Sequence, residues 1–218
     1  MTYITEAESG TKNVAAINKI FRSAGYKKIG SGVDSTVWAK DEHSVVKILM
    51  PDDPKNQAEQ TFLKFYNFVK KYKSLENLPK FLQAKDNLTV NGVNYSYVVM
   101  ERLYPIPKNS FNEAMVWIMS DLSTKRISWD QAFNIIVDSN TWKLFDDGMS
   151  PDKIIHTLRN ISDIEIAKLG LLFTVMTLLY HTGQINKLGW DLHTENVMQR
   201  RDGTLVIVDP WFGLGDGI

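Results

Sequence analysis

Residues 188–213 read LGWDLHTENVMQRRDGTLVIVDPWFG, and this stretch decides the fold. Asn196 follows Asp191 by five residues and Asp209 follows it by eighteen. Between the last two, Asp202-Gly203 marks a tight turn with a β-rich run on either side. Asp and Asn alone favour turns and caps, so any one of these residues is bland. Three at these spacings are not. A carboxylate and a carboxamide across a strand pair offer hard oxygen ligands. Such ligands suit magnesium rather than zinc.

Working back along the chain, residues 163–181 form the most apolar helix, expected at the heart of the second half and closed by Gly183. Three further helices are expected at about 110–124, 128–137 and 151–160. Ser110 with Glu113, and Ser128 with Asp130, mark two of the starts. The first half reads differently. A helix over 13–24 ends at Gly25. VDSTVWA and SVVKIL form a hairpin around Asp-Glu-His, and Pro51 and Pro54 stop the second strand. A helix from Lys55 to about Tyr72 carries Ala58, Phe62, Phe65, Tyr66 and Val69 on one stripe. Residues 80–100 read as two strands around Asn91-Gly92. The chain thus divides into a β-rich half and a helical half joined by MERLYPIPK, residues 100–108.

The first half carries a second set of chemical groups. Gly30-Ser31-Gly32 precedes a strand, where glycines let the backbone approach a ligand and successive N–H groups can face phosphate oxygens. Ser35 and Val37 extend the pattern, and Val45-Val46-Lys47 follows on the next strand. Val45, Lys47 and Leu49 share a strand face, so the lysine looks inward. A buried ammonium needs a carboxylate or a phosphate, and Glu59 on the following helix is the available carboxylate. With magnesium and Lys47 neutralising a phosphoryl group, Asp191 is left to take or orient the proton of an attacking hydroxyl.

In this order and register the residues resemble the protein-kinase family of phosphotransferases. DLHTEN resembles the catalytic loop, with Asp191 as the catalytic Asp and Asn196 as the metal-binding Asn. VDPW resembles the segment that carries the magnesium Asp, here Asp209. VVK resembles the strand motif with its lysine, Lys47, and VVMERL the end of the fifth strand and the hinge. The resemblance implies an α+β, bilobal kinase-like fold. Residues 1–103 would form an N-lobe with a small antiparallel sheet and a helix, and 104–218 a mostly helical, truncated C-lobe. It implies ATP and Mg2+ as cofactors. Gly30, Ser31, Gly32 and Ser35 would lie at the phosphates, with Met100 as gatekeeper and the backbones of Glu101 and Leu103 at the adenine. Val37 and Val45 would roof the adenine, Met198 and Val208 would floor it, and Glu59 would pair with Lys47.

The nearest form is the small early serine/threonine kinases of T7-like bacteriophages. That resemblance implies a host cytoplasmic protein as substrate or target. The Asp-Leu-His-x-x-Asn loop also resembles aminoglycoside and choline kinases, which implies a small-molecule acceptor. Departures are visible. Gly189-Trp190 stands where His-Arg is usual before the catalytic Asp, Pro210-Trp211 follows the magnesium Asp, and only nine residues remain after it, without an activation segment. A binding protein without catalysis is the reading from another class that these departures allow.

Bulk properties agree. A formal net charge of zero gives no support for direct nucleic-acid binding. The apolar stretch LGLLFTVMTLLY is too short for a membrane span, and the polar N-terminus does not read as a signal peptide, so a cytoplasmic protein is expected. Without cysteine and with four scattered histidines, a zinc centre is not expected. His193 reads as orienting its loop, and Arg200-Arg201 as candidates for touching an acidic substrate.

Overall fold

The computed structural model describes residues 6–32, 35–51, 57–108, 110–128 and 163–213. The helices expected at 128–137 and 151–160 and the first residues of the helix expected from Lys55 lie outside these, save Ser128. The chain divides into two compact units. One is Met1–Leu63 with Lys80–Arg102, and the other is Lys64–Pro79 with Leu103–Ile218.

The first unit is built on a five-stranded antiparallel sheet. Helix α1 (Glu6–Ser23) ends where Gly25 adopts φ +82°, with Tyr26 N–H donating to Phe21 O at 2.9 Å. A left-handed glycine here satisfies carbonyls left over at the helix end. Strands β1 (Lys27–Ser31), β2 (Ser35–Ala39) and β3 (Ser44–Leu49) follow. After them come helix α2 (Ala58–Lys71) and strands β4 (Asp86–Val90) and β5 (Val93–Glu101). The strand order is β1-β2-β3-β5-β4. Register partners Trp38 and Val46 share one face with Ile48, Val90 and Tyr95, and these bury Ile17 of α1. Each such side chain contributes roughly 1.5–3 kcal/mol on burial.

The β4–β5 hairpin turns through Asn91 (φ 52°) and Gly92 (φ 80°), as the Asn-Gly pair requires. The strand expected before it is shorter, beginning at Asp86. Upstream, Phe81 makes only an isolated bridge to Met100. Its ring packs edge-on to Phe62, and Lys85 reaches Glu59 rather than extending the ladder.

In the second unit, β6 (Tyr104–Pro105) leads to α3 (Phe111–Ser123), which Ser110 caps by accepting from Glu113 N–H at 3.2 Å. Helix α4 (Asp163–Ile185) packs on α3, and Leu172, Val175, Met176 and Leu179 along it are each 0–1% exposed. It does not stop at Gly183. That glycine lies inside the helix because the buried Trp211 ring crosses it, and a Cβ would stand 2.7 Å from the indole nitrogen. The helix ends two residues later, before Lys187 at φ 53°.

Short strands follow: β7 (Leu188–Trp190), β8 (Val197–Gln199), β9 (Leu205–Ile207) and β10 (Trp211–Gly213). They form a β6-β8-β9 sheet and a separate β7/β10 ribbon. The fold is therefore α+β, with an antiparallel sheet and helices in the first unit and a mostly helical second. The α+β class, the small antiparallel sheet with its helix and the mostly helical second part are as expected.

Candidate functional site

In the first unit the candidate groups gather on the sheet face opposite the Trp38 core. Val37 pairs with both Gly30 and Lys47, Lys47 with Val98, and Val45 with Met100. Direct partners in antiparallel strands point the same way, so Gly30, Val37, Val45, Lys47 and Met100 share one face. Helix α2 covers part of it. The Lys47 ammonium lies 4.3 Å from the Phe62 ring centre. One turn earlier, Glu59 accepts a hydrogen bond from the Ser96 hydroxyl and stands 3.7 Å from Lys85 Nζ. The structure thus brings Glu59 to the lysine-bearing face and engages its carboxylate with Ser96 and Lys85.

The β1–β2 turn begins with Gly32 N–H donating to Ser35 O at 2.9 Å. Neither Gly30 nor Gly32 has a positive φ. A Cβ at 30 would make only ordinary contact with Val37, and one at 32 would meet nothing among the described residues. The fold itself therefore gives no reason for glycine at these positions, unlike Gly25 or Gly92. At the end of β5, the Glu101 N–H is committed to Lys80 O at 2.9 Å. A base meeting this residue would have to use its carbonyl. Leu103, the first residue of the second unit's main segment, is buried.

In the second unit the loop after β7 is stitched tightly. Asp191 N–H donates to Pro210 O at 2.9 Å. Asn196 ends a 3-10 turn (Thr194–Asn196), and its side-chain nitrogen donates to Asp191 O at 2.6 Å and lies 3.3 Å from Asp191 Oδ2. Val208 N–H donates to Asn196 O at 2.9 Å, joining that turn to the residue before Asp209. The three oxygen-bearing residues quoted at the outset are therefore held by one main-chain network. His193 orders it further. Its Nδ1 receives the Glu195 N–H at 3.3 Å, and its Nε2 lies 3.1 Å from the Asn196 nitrogen and 3.8 Å from Asp191 Oδ1.

With its nitrogen turned to Asp191, the Asn196 carboxamide presents its oxygen the other way. No three His, Asp or Glu side chains gather as a metal cluster among the described residues. A cation here would rest on Asn196 and Asp209 and keep several other ligands. That fits magnesium, which commonly takes one or two protein ligands and fills its octahedron with water and phosphate oxygen. Met198 and Val208 are half-buried on and just beyond the β8–β9 hairpin.

Arg200 is engaged within the second unit. Its guanidinium donates to Glu76 O and, at 3.1 Å, to Leu78 O, clamping that segment, while Arg201 donates to the Tyr104 hydroxyl at 3.1 Å. Asn77 completes the join by donating to Leu205 O at 2.8 Å. A cavity of about 200 Å³, lined by Asn77, Asn112, Lys168, Leu172, Asp202 and Leu205 among others, lies at that tip of the hairpin. Nothing local in the sequence signalled it.

No protein-family model matches the chain, and no curated protein matches it. Among solved structures the chain is similar to a spectinomycin phosphotransferase in complex with ADP and spectinomycin. The two share 11% identity at a TM-score of 0.39, over 89% of this chain and 69% of that one.

Proposed function

We propose that the chain is an ATP- and Mg2+-dependent phosphotransferase acting on a hydroxyl. The observation that carries this reading is the network joining Asp191, Asn196 and the strand end before Asp209. It holds a half-exposed carboxylate beside a carboxamide whose nitrogen is bound to Asp191 O. In the reaction the bond between the γ-phosphorus and the bridging oxygen of ATP breaks. A bond from the acceptor oxygen forms, the acceptor proton passes to the Asp191 carboxylate, and ADP leaves. Asn196 and Asp209 would hold magnesium, which neutralises charge on the transferring group. Lys47 would contribute a further positive charge to the phosphates, and the Gly30-Ser31 backbone would lie beside them, the Gly32 N–H being bonded to Ser35 O. The Glu101 carbonyl would meet the adenine.

A small-molecule hydroxyl is the acceptor we favour. His193, which contacts both Asp191 and Asn196, belongs to a loop that resembles small-molecule kinases as well as the bacteriophage kinases, so it fits this acceptor without excluding the other. A host protein serine or threonine, as in the bacteriophage kinases that the motifs resemble, is the second reading. The test is incubation of the pure chain with γ-labelled ATP and magnesium, against a panel of alcohols and against a bacterial lysate. Label transferred to a small alcohol supports the first reading, and label on protein the second. Asp191→Asn should abolish either transfer. Transfer that survives this substitution overturns the role given to Asp191, and no nucleotide turnover by the unaltered chain overturns the proposal in favour of a binding protein.

A further inference from the structure

The β7/β10 ribbon has two unlike faces. Trp190 and Trp211 are register partners. Trp190 Nε1 donates to Ser120 Oγ at 3.2 Å and Trp211 Nε1 to Leu179 O at 3.1 Å, so this face is turned to α3 and α4. Gly189 and Phe212 are the next register partners, and strand alternation sends them to the other face. The bond from Asp191 N–H to Pro210 O continues the pairing one step past the strands. Asp191 lies two residues from Gly189, so it shares the Phe212 face. Phe212 is 46% exposed although it is a large apolar side chain, and the Asp191 side chain is 47% exposed. The Phe212 ring lies so close over Gly189 that a Cβ there would fall within its van der Waals shell. One ring face is thus occupied by the Gly189 backbone, and exposed ring surface remains on the side of the ribbon that carries the Asp191 carboxylate. Diagonal neighbours across such a pair stand about 7–8 Å apart, within reach of an aromatic side chain.

We propose that Phe212 is a specificity-determining residue, an apolar platform on which the carbon skeleton of an acceptor alcohol lies with its hydroxyl at Asp191. The inference rests on the phosphotransferase reading and adds to it which acceptors are preferred. Water has no carbon surface to lay on the ring. An alcohol does, and its advantage over water grows with each methylene that the ring covers. Gly189 is required because any side chain there would displace the ring.

The test uses the whole chain with Mg-ATP and methanol, ethanol, 1-propanol and 1-butanol as probe acceptors. Alkyl phosphate and inorganic phosphate are measured together. The partition between them should rise with chain length by up to about fourfold per methylene, the ~0.8 kcal/mol of a buried CH2. Phe212→Ala should flatten the series and Phe212→Leu should keep part of its slope. Gly189→Ala should flatten it as well by pushing the ring aside. Adding Phe212→Ala to that variant should cost no further slope and should recover thermal stability. An unchanged slope in folded Phe212→Ala overturns the platform while leaving phosphotransfer standing. Absence of both products with the unaltered chain overturns phosphotransfer itself, and the platform with it.

Discussion

The side-chain nitrogen of Asn196 donates to the main-chain oxygen of Asp191 across 2.6 Å. On the proposed reading, the residue that offers a metal its oxygen also fixes the backbone of the proton acceptor. The two roles use opposite ends of one carboxamide, so they can be separated by substitution. Asn196→Asp keeps an oxygen for the cation and removes the donor, and it sets a second negative charge beside Asp191 Oδ2. It should lower stability by about 1–3 kcal/mol, the cost of an unmet hydrogen bond with added repulsion. Activity should fall even at saturating magnesium. Urea unfolding and a magnesium titration of turnover check this. A variant restored to full rate by magnesium alone would show that the donor end does nothing.

That network was half legible in the sequence. Asp191, Asn196 and Asp209 stand out because their spacing and the Asp-Gly turn are local. The Ser110 cap and the Asn91-Gly92 hairpin were readable for the same reason. The face on which Lys47 lies follows from strand alternation alone. What escaped depends on residues far apart. Gly183 read as a helix stop, because nothing nearby tells that Trp211 will cross it. Strands of two or three residues, such as β6, β7 and β10, have no period to detect. Nothing near Arg200 in the sequence tells that its guanidinium will hold the Glu76 and Leu78 carbonyls. The Phe212–Gly189 stack was likewise invisible, since it exists only once the ribbon pairs.

Lys47 offers a prediction in which packing and charge separate. Its stem lies among Val37, Val45 and Val98, with its ammonium over Phe62. Lys47→Met keeps the stem and its volume and loses the charge. The unfolding midpoint should move by only a few degrees, since volume-conserving apolar swaps usually cost under about 1.5 kcal/mol. Phosphoryl transfer should fall roughly 10²–10³-fold, the usual scale for one charge-stabilising group. Circular-dichroism melts alongside turnover measure both. A loss of activity that merely tracks a collapse in stability would assign Lys47 to the fold alone.

Asp202 supplies a pH dependence. Thr204 N–H donates to its Oδ1 at 2.9 Å, and that bond, aided by the nearby positive charges of Arg200 and Lys168, holds its carboxyl below the usual carboxylate range. The folded pKa is lower than the unfolded value of about 3.9. Its stabilising contribution is therefore fully present above that value and is lost as pH falls through the folded pKa. Asp202→Asn keeps a carbonyl acceptor for Thr204 but cannot titrate. The stability gap between the two proteins should be open at neutral pH and should close in acid. Chemical unfolding across pH 2–7, both roughly bracketing the carboxylate range, reads it. A gap that widens on acidification contradicts the assignment.

Gly183 gives the sharpest sign test of the fold. In an exposed helix interior, glycine to alanine gains about 0.5–1 kcal/mol because the unfolded chain loses freedom. At Gly183 the new Cβ would stand 2.7 Å from Trp211 Nε1 and 3.1 Å from its Cδ1. The indole cannot simply retreat. It is 4% exposed, donates to Leu179 O, and has Phe65 and Phe68 edge-on at 6.0 and 5.9 Å. Overpacking of this kind costs typically 1–3 kcal/mol, so crowding should win and Gly183→Ala should destabilise. Moving Trp211 would also drag its strand neighbours Pro210 and Phe212, which flank the Asp191 pairing. Turnover should then fall further than stability explains. Thermal unfolding of Gly183→Ala, with Gly170→Ala as the control because a Cβ there meets nothing among the described residues, decides the sign. Stabilisation by both substitutions would mean that Trp211 does not lie across α4.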